Sequence, residues 1–154
     1  MDVYLTTSEA IRAVLGVSED SQELPDSVFE DMELDIEIEL QMETWLLEMA
    51  NTSISAVLAS GPARARTAIP LCAKYLGALI MLPSLLTYTA SKQSDGQDEF
   101  QRQDRDLEQL REDLLALLSK YQAIILEALE ATASALPFQV IGRAIPNYDP
   151  ITGA

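Results

Sequence analysis

Residues Leu107–Leu129 read LEQLREDLLALLSKYQAIILEAL, and this stretch decides the fold class. Its apolar residues recur at alternating steps of three and four, which is the spacing of one face of an α-helix. The members of this stripe are Leu107, Leu110, Leu114, Leu117, Tyr121, Ile124 and Ala128. Further leucines beside the stripe widen it, so more than one element should pack on this helix. We therefore predict a long helix over 98–134 in an all-α protein.

A second long segment, 64–91, is apolar nearly all round and predicts the central helix of a helical bundle. We expect it to pair with 98–134 as a long antiparallel helical hairpin that turns at Ser94-Asp95-Gly96. Residues 69–90 also reach the length of about 20 apolar residues that a membrane span needs. Lys74 and Pro83 interrupt that window, so we favour a soluble bundle with no membrane partner.

The N-terminal region carries helix start signals. Thr6 and Glu9 have the spacing of a capping box, which predicts a short first helix over 7–15 that ends at Gly16. Leu24-Pro25-Asp26 opens the next helix, because proline suits a first helical turn. We expect that second helix to continue to Met49.

Residues 32–42 alternate apolar and mostly acidic side chains, which is also the period of a half-buried strand. Glu, Leu and Met are strong helix formers and Glu and Asp are poor in strands, so we favour a helix and keep the strand open. As a helix, the segment has one apolar stripe of Phe29, Met32, Ile36 and Leu40. Its other stripe contains Leu34, Ile38, Met42, Trp45 and Met49. Such a helix would be held on two sides, by its own core and by a neighbouring subunit. We assign no helix to 50–61, which are small and polar.

Charge is distributed very unevenly along the chain. Between Arg12 and Arg64 there is no basic residue and there are twelve acids, in a chain of formal charge −15. Such a surface repels phosphate backbones, so we expect no sequence-specific nucleic-acid binding. We select five of these acids as candidates for an acidic face that lines a channel or an interface: Glu30, Glu33, Asp35, Glu37 and Glu39. An ordinary solvated face that confers solubility is the alternative explanation.

The residue types that carry most enzyme chemistry are missing from the sequence. The chain has no histidine and one cysteine, Cys72, so it lacks the usual zinc ligands and any Cys/His nucleophile pair. The six glycines are scattered and form no phosphate-binding loop. We therefore predict no catalytic, cofactor-binding or metal-binding residues and no enzymatic activity. The single cysteine indicates a reducing compartment.

The last residues differ in character from the helical domain, 1–136. Three prolines and two glycines exclude a long helix in the tail, 137–154, which is nevertheless rich in apolar side chains. An extended apolar tail either folds back on its own domain or is accepted by a groove or sheet edge of a partner. The candidate partner-binding residues are Phe138, Val140, Ile141, Ile145, Tyr148 and Ile151.

In this order, the features resemble the head–tail adaptor (connector) proteins of tailed bacteriophages. The matching parts are the capped helix Thr6–Leu15, the helix start at Leu24-Pro25-Asp26, the long apolar helix and the extended tail. The turn Asp95-Gly96 followed by Phe100-Gln101-Arg102 is similar to an Asp-Gly…Phe-x-Arg stretch between the last two helices of that family.

The resemblance implies a virion protein of the neck, made in the host cytoplasm and assembled as a ring, commonly dodecameric, beneath the portal protein. Such a ring continues the DNA channel and presents a platform to a downstream tail or neck protein. The C-terminal tail would dock on the portal, and an acidic lining would let DNA slide without adhering.

A rival hypothesis belongs to another functional class. The clustered carboxylates also suit an acidic helical interaction protein, such as a DNA-mimic inhibitor that occupies the basic groove of a nuclease or polymerase. The long apolar hairpin and the apolar tail argue against it, since a small mimic needs neither.

Overall fold

A computed structural model describes residues 5–17, 24–93 and 107–134, and within these ranges the chain forms six helices and no strand. The helices are α1 (Ser8–Leu15), α2 (Asp26–Asp31), α3 (Leu34–Ala50), α4 (Ile54–Ser60), α5 (Ala63–Gln93) and α6 (Leu107–Ser134). The predicted all-α fold is confirmed. The alternating segment is helical, so the strand interpretation of 32–42 is wrong.

Helices α5 and α6 make the most extensive contact in the described part of the molecule. Arg64, near the start of α5, lies 3.5 Å from Glu127, near the end of α6. Farther along α5, Tyr75 stacks on Tyr121 with ring centroids 5.5 Å apart. The two helices therefore run in opposite directions. The linking residues 94–106 lie outside the described residues, so the hairpin as one unit stays a prediction.

The α6 stripe packs as its spacing predicts. Leu114 and Ala128 are buried, the other stripe members are half-buried, and Ile125 beside the stripe is also buried. Leu115, beside the stripe, is 44% exposed. One face of α6 therefore closes the core, while its opposite face is polar and solvated.

Helix α5 continues through two prolines, Pro70 and Pro83. A proline within a helix has no N–H to donate, so the carbonyl four residues earlier loses its helical partner. Both prolines are exposed, so neither puts its ring into the core. The predicted helix over 64–91 is confirmed, with the observed bounds slightly wider.

The helix ends differ in detail from the predicted caps. Thr7 is the N-cap of α1, because its hydroxyl accepts from the N–H of Ala10 at 3.2 Å, so the prediction of Thr6 is wrong by one residue. Gly16 ends the helix as predicted, in the left-handed conformation with φ 69°. Pro25 is the N-cap of α2 and does not lie within its first turn.

The predicted single helix from Leu24 to Met49 is wrong, because α2 and α3 are separate. The chain turns at Met32 and Glu33, and Glu33 has a left-handed φ of 46° that an α-helix cannot contain. The buried Phe29 therefore belongs to α2 and does not extend a stripe of α3.

Helix α4 occupies part of the segment that we expected to be non-helical. The Ser53 hydroxyl caps it by accepting from the N–H of Ala56 at 3.1 Å. The buried Ile54 and Val57 turn toward the core. Their three-residue spacing behind a serine is the signal that sequence analysis missed.

Helix α5 is the centre of the fold, and Gly77 is where two other helices approach it. A Cβ atom at Gly77 would lie 2.7 Å from Cδ1 of Ile11 on α1 and 2.9 Å from Cδ1 of Ile38 on α3. Both isoleucines are 1% exposed. Because Gly77 has no side chain, α1 and α3 can both pack closely against the same turn of α5. This contact places Ile38, and with it the inward face of α3, against α5.

Candidate functional site

Helix α3 has one apolar face in the core. Leu34, Ile38, Met42 and Leu46 recur every four residues and are at most 3% exposed. They form the inner stripe, which contains most of one predicted apolar stripe. Met49 also belonged to that prediction, but it lies at the helix end and is 59% exposed.

The opposite face of α3 is also apolar, and it is open to solvent. Ile36 is 62% exposed, Leu40 65% and Leu47 50%. We call these three residues the outer stripe. At 100° per residue they lie about 160° around the helix from the inner stripe. Single exposed leucines are common on protein surfaces, but three on one face of one helix form a candidate interaction surface.

Acids flank the outer stripe on both sides. Asp35, Glu39 and Glu43 recur every four residues along one flank, and Glu37 and Glu48 lie on the other. The carboxylates at 35, 37, 39 and 48 are exposed, and Glu43 is half-buried. The surface is therefore an apolar strip between two acid rows, which suits a partner whose own strip is edged by cations.

The predicted acidic face is distributed over several directions. Glu30, Glu33, Asp35, Glu37 and Glu39 are all exposed. The structure places Asp35 and Glu39 on one flank of α3 and Glu37 on the other, while Glu33 lies in the turn and Glu30 on α2. The predicted tail residues Phe138, Val140, Ile141, Ile145, Tyr148 and Ile151 lie outside the described residues.

Hardly any of this acidity is neutralised within the described residues. The ion pairs found there join Arg12 to Asp26 at 2.5 Å and Arg64 to Glu127 at 3.5 Å, and neither reaches α3. Glu43 has a different role, because its carboxylate accepts from the backbone N–H of Ile54 at 2.7 Å and so holds the start of α4. Glu37 accepts from the side-chain amide of Gln41 at 3.0 Å, and no cation of the described residues pairs with the other α3 carboxylates.

Sequence analysis missed the role of Arg12, which is the one buried charged residue in the described core. Its Nε donates to the carbonyl of Leu24 at 2.9 Å, and its Nη2 donates to Asp26. Its guanidinium carbon lies 4.8 Å from the centre of the Phe29 ring. Arg12 therefore connects α1 to the start of α2. Because α2 leads directly into α3, these contacts also help to position α3. No local signal marks the role of Arg12, because the spacing of Ile11 and Leu15 is that of an ordinary amphipathic helix.

The one thiol of the chain is inert in the native fold. Cys72 lies in the core of α5 with 1% of its surface exposed. Burial raises the pKa of its thiol from 9.0 to about 12, because the thiolate would lose its hydration there. Among the described residues, no three acids or thiols converge on a position that could hold a metal ion.

Helix α5 also meets the length and composition criterion for a membrane span. Its segment Ala63–Leu85 has 23 residues and a mean hydropathy of 1.6. Half of that window is buried inside the protein, and the core helix of a water-soluble bundle meets the same criterion. The criterion by itself therefore does not distinguish the two environments.

Fold and surface together define a class of protein: a helical domain with a two-faced, acid-flanked helix on its outside. No protein-family model, curated protein or solved structure matches the chain.

Proposed function

We propose that this chain is a structural subunit of the neck of a tailed-phage virion. In this role it assembles as a ring, commonly dodecameric in the family that it resembles, joins the portal protein to a downstream tail or neck protein, and continues the DNA channel. It acts in the virion and, during assembly, in the host cytoplasm. DNA passes through without being read, and no catalysis is involved.

The observation that carries the proposal is the outer stripe of Ile36, Leu40 and Leu47. A ring is built from heterologous contacts, in which each subunit offers two different surfaces to its two neighbours. An apolar face that its own core leaves uncovered is such a surface. The inner stripe of the same helix is buried in the core and so holds the outer stripe in a fixed position for contact with a neighbouring subunit.

The apolar area of the outer stripe is consistent with subunits that assemble on another protein rather than free in solution. Covering three side chains that are 50–65% exposed contributes about 3–5 kcal/mol. Association of two free proteins costs about 4–15 kcal/mol in lost motional freedom, so this contact by itself gives only weak pairing. A portal that holds many copies side by side raises their effective concentration and stabilises the ring.

The test is assembly on the portal protein encoded by the same genome. Negative-stain images of the mixture should show rings at the portal. The double variant with Ile36→Glu and Leu40→Glu should remove the rings without loss of helicity, because glutamate is a good helix former. Gln41→Glu with Met49→Glu adds the same two charges to α3 away from the outer stripe and is the matched control. Failure of the unmodified chain to bind the portal refutes the neck role.

The tail has a separate expected role in this proposal. Phe138 and Ile141 should anchor residues 137–154 on the portal by inserting apolar side chains into a groove or sheet edge. Phe138→Asp with Ile141→Asp should abolish portal binding. Pairing between subunits should not change, since the outer stripe is untouched.

A second candidate is the acidic interaction protein, a DNA-mimic inhibitor in the basic groove of a nuclease or polymerase. The unneutralised carboxylates of α3 favour it. Neutralising Glu37 and Glu39 to Gln should abolish inhibition of a DNA-binding enzyme, and added salt should weaken it strongly. For a neck subunit, assembly should be much less sensitive to these neutralisations and to added salt than to Ile36→Glu.

A further inference from the structure

Helix α5 carries a surface that is opposite in charge to α3. The 31 residues of Ala63–Gln93 include no acid. Its exposed or half-exposed positions Ala63, Arg66, Thr67, Pro70 and Lys74 follow helical spacing and share one outward face, the basic stripe. The small, uncharged residues Ala63, Thr67 and Pro70 lie along the stripe, with Arg66 at one edge and Lys74 in line with them at its far end.

The cations of the basic stripe have no carboxylate partner among the described residues. Arg66 belongs to neither of the two ion pairs found there. The Lys74 ammonium lies 4.9 Å from the centre of the Tyr75 ring, a contact that leaves its charge unneutralised. Within the described residues, the exposed Arg66 and the half-buried Lys74 on α5 and the exposed carboxylates of α3 therefore have no ion-pair partner.

We propose that the outer stripe of α3 in one copy of this chain packs against the basic stripe of α5 in the next copy. This inference rests on the proposed function and names the partner of its uncovered surface. The apolar strip of Ile36, Leu40 and Leu47 covers the small residues at Thr67 and Pro70. One acid row then lies beside Arg66, Lys74 lies at the end of the strip within reach of the other row, and the two helices meet as ridge on groove.

Charge also decides against a two-fold symmetric alternative. If two outer stripes met each other, the acid rows of both copies would be brought together with no cation between them. Like charges placed opposite each other across an interface disfavour that pairing. Contact between two different faces leaves one face of each kind open at the ends, so it propagates from copy to copy until a ring closes.

Site-directed cross-linking tests the pairing with the full chain. One preparation carries Leu40→Cys and the other Thr67→Cys, and a short bismaleimide joins thiols that lie close together. The native thiol at Cys72 is buried and does not compete. We expect the mixture to give a cross-linked dimer in at least tenfold greater yield than either preparation alone. Adding Lys74→Glu to the Thr67→Cys chain should lower the yield severalfold, as should high salt.

Other outcomes overturn the inference. Equal cross-linking of Leu40→Cys with itself indicates a two-fold interface. Equal cross-linking with Ala116→Cys, an exposed position on α6, indicates random collision. Absence of cross-linking in the mixture also refutes the contact.

The result is separable from the neck role. Rings on the portal together with no Leu40–Thr67 cross-link would leave the proposed function intact and the interface wrong. A strong cross-link in a chain that never binds the portal would establish head-to-tail self-association and remove the neck role.

Discussion

Replacing the buried Arg12 by alanine should lower the free energy of unfolding more than replacing any exposed residue of α1 or α2. The side chain of Arg12 is 7% exposed, whereas that of its partner Asp26 is 75% exposed. The guanidinium also donates to the carbonyl of Leu24, a residue with no exposed surface. Arg12 therefore satisfies a buried acceptor that water cannot easily reach.

The magnitude follows from these contacts. An orphaned buried carbonyl costs about 1–3 kcal/mol. The lost contact with the ring of Phe29 adds about 0.5–1 kcal/mol. The lost packing of the arginine stem brings the total for Arg12→Ala to about 3–4 kcal/mol. Asp26→Ala should cost only about 1 kcal/mol, because water can occupy the exposed position that the carboxylate leaves.

Urea unfolding, followed by far-UV circular dichroism and by the fluorescence of Trp45, measures both values. Arg111→Ala removes an exposed arginine from α6 and is the control, with an expected change within about 0.5 kcal/mol. If Asp26→Ala proves as costly as Arg12→Ala, the ion pair rather than the Leu24 carbonyl supports the cluster, and the reasoning is wrong.

Further predictions concern two core residues, Gly77 and Cys72, and the Glu43 carboxylate at the start of α4. Gly77→Ala should lower the free energy of unfolding by about 1–2 kcal/mol in urea, because crowding of the two isoleucine tips outweighs the gain in helix propensity. Cys72 should resist thiol reagents until the protein unfolds. Above pH 9 the unfolded thiol ionises first, so stability should fall by about 1.4 kcal/mol per pH unit up to about pH 12, less steeply in Cys72→Ala. Glu43→Ala should cost about 1 kcal/mol in urea unfolding by leaving the Ile54 N–H at the start of α4 without its acceptor, whereas Glu48→Ala, exposed on the same helix, should change little.

The sequence predicted those elements whose spacing and end signals agree. Helix α6 follows an unbroken apolar stripe, and α1 ends where a glycine permits the left-handed turn. The break between α2 and α3 could not be predicted, because Glu33 occupies a conformation for which glycine or asparagine is the usual signal. Helix α4 was missed because its alanines and serines are weakly apolar and only Ile54 and Val57 reach the core.

Part of the candidate surface could be predicted from the sequence. Ile36 and Leu40 could be assigned to one stripe of a two-sided helix from their spacing. The choice of the stripe that faces inward depends on Gly77, more than thirty residues away, where the absent side chain admits Ile38. A contact of this kind between distant helices leaves no local pattern in the sequence.

The alternation in α3 explains why this helix has two apolar faces. In a strand, alternate residues would gather all apolar groups on one face and all acids on the other, and a single core would satisfy them. In a helix, a step of two residues turns about 200°, so the same alternation makes two apolar faces separated by two acidic ones. The core of this chain covers only the inner stripe, since Ile36 and Leu40 remain more than half exposed. Polar residues at those two positions would leave the described core unchanged, so we expect the outer stripe to contribute little to folding. The acids on its flanks should oppose pairing with a second outer stripe and favour a basic surface, as the proposed contact requires.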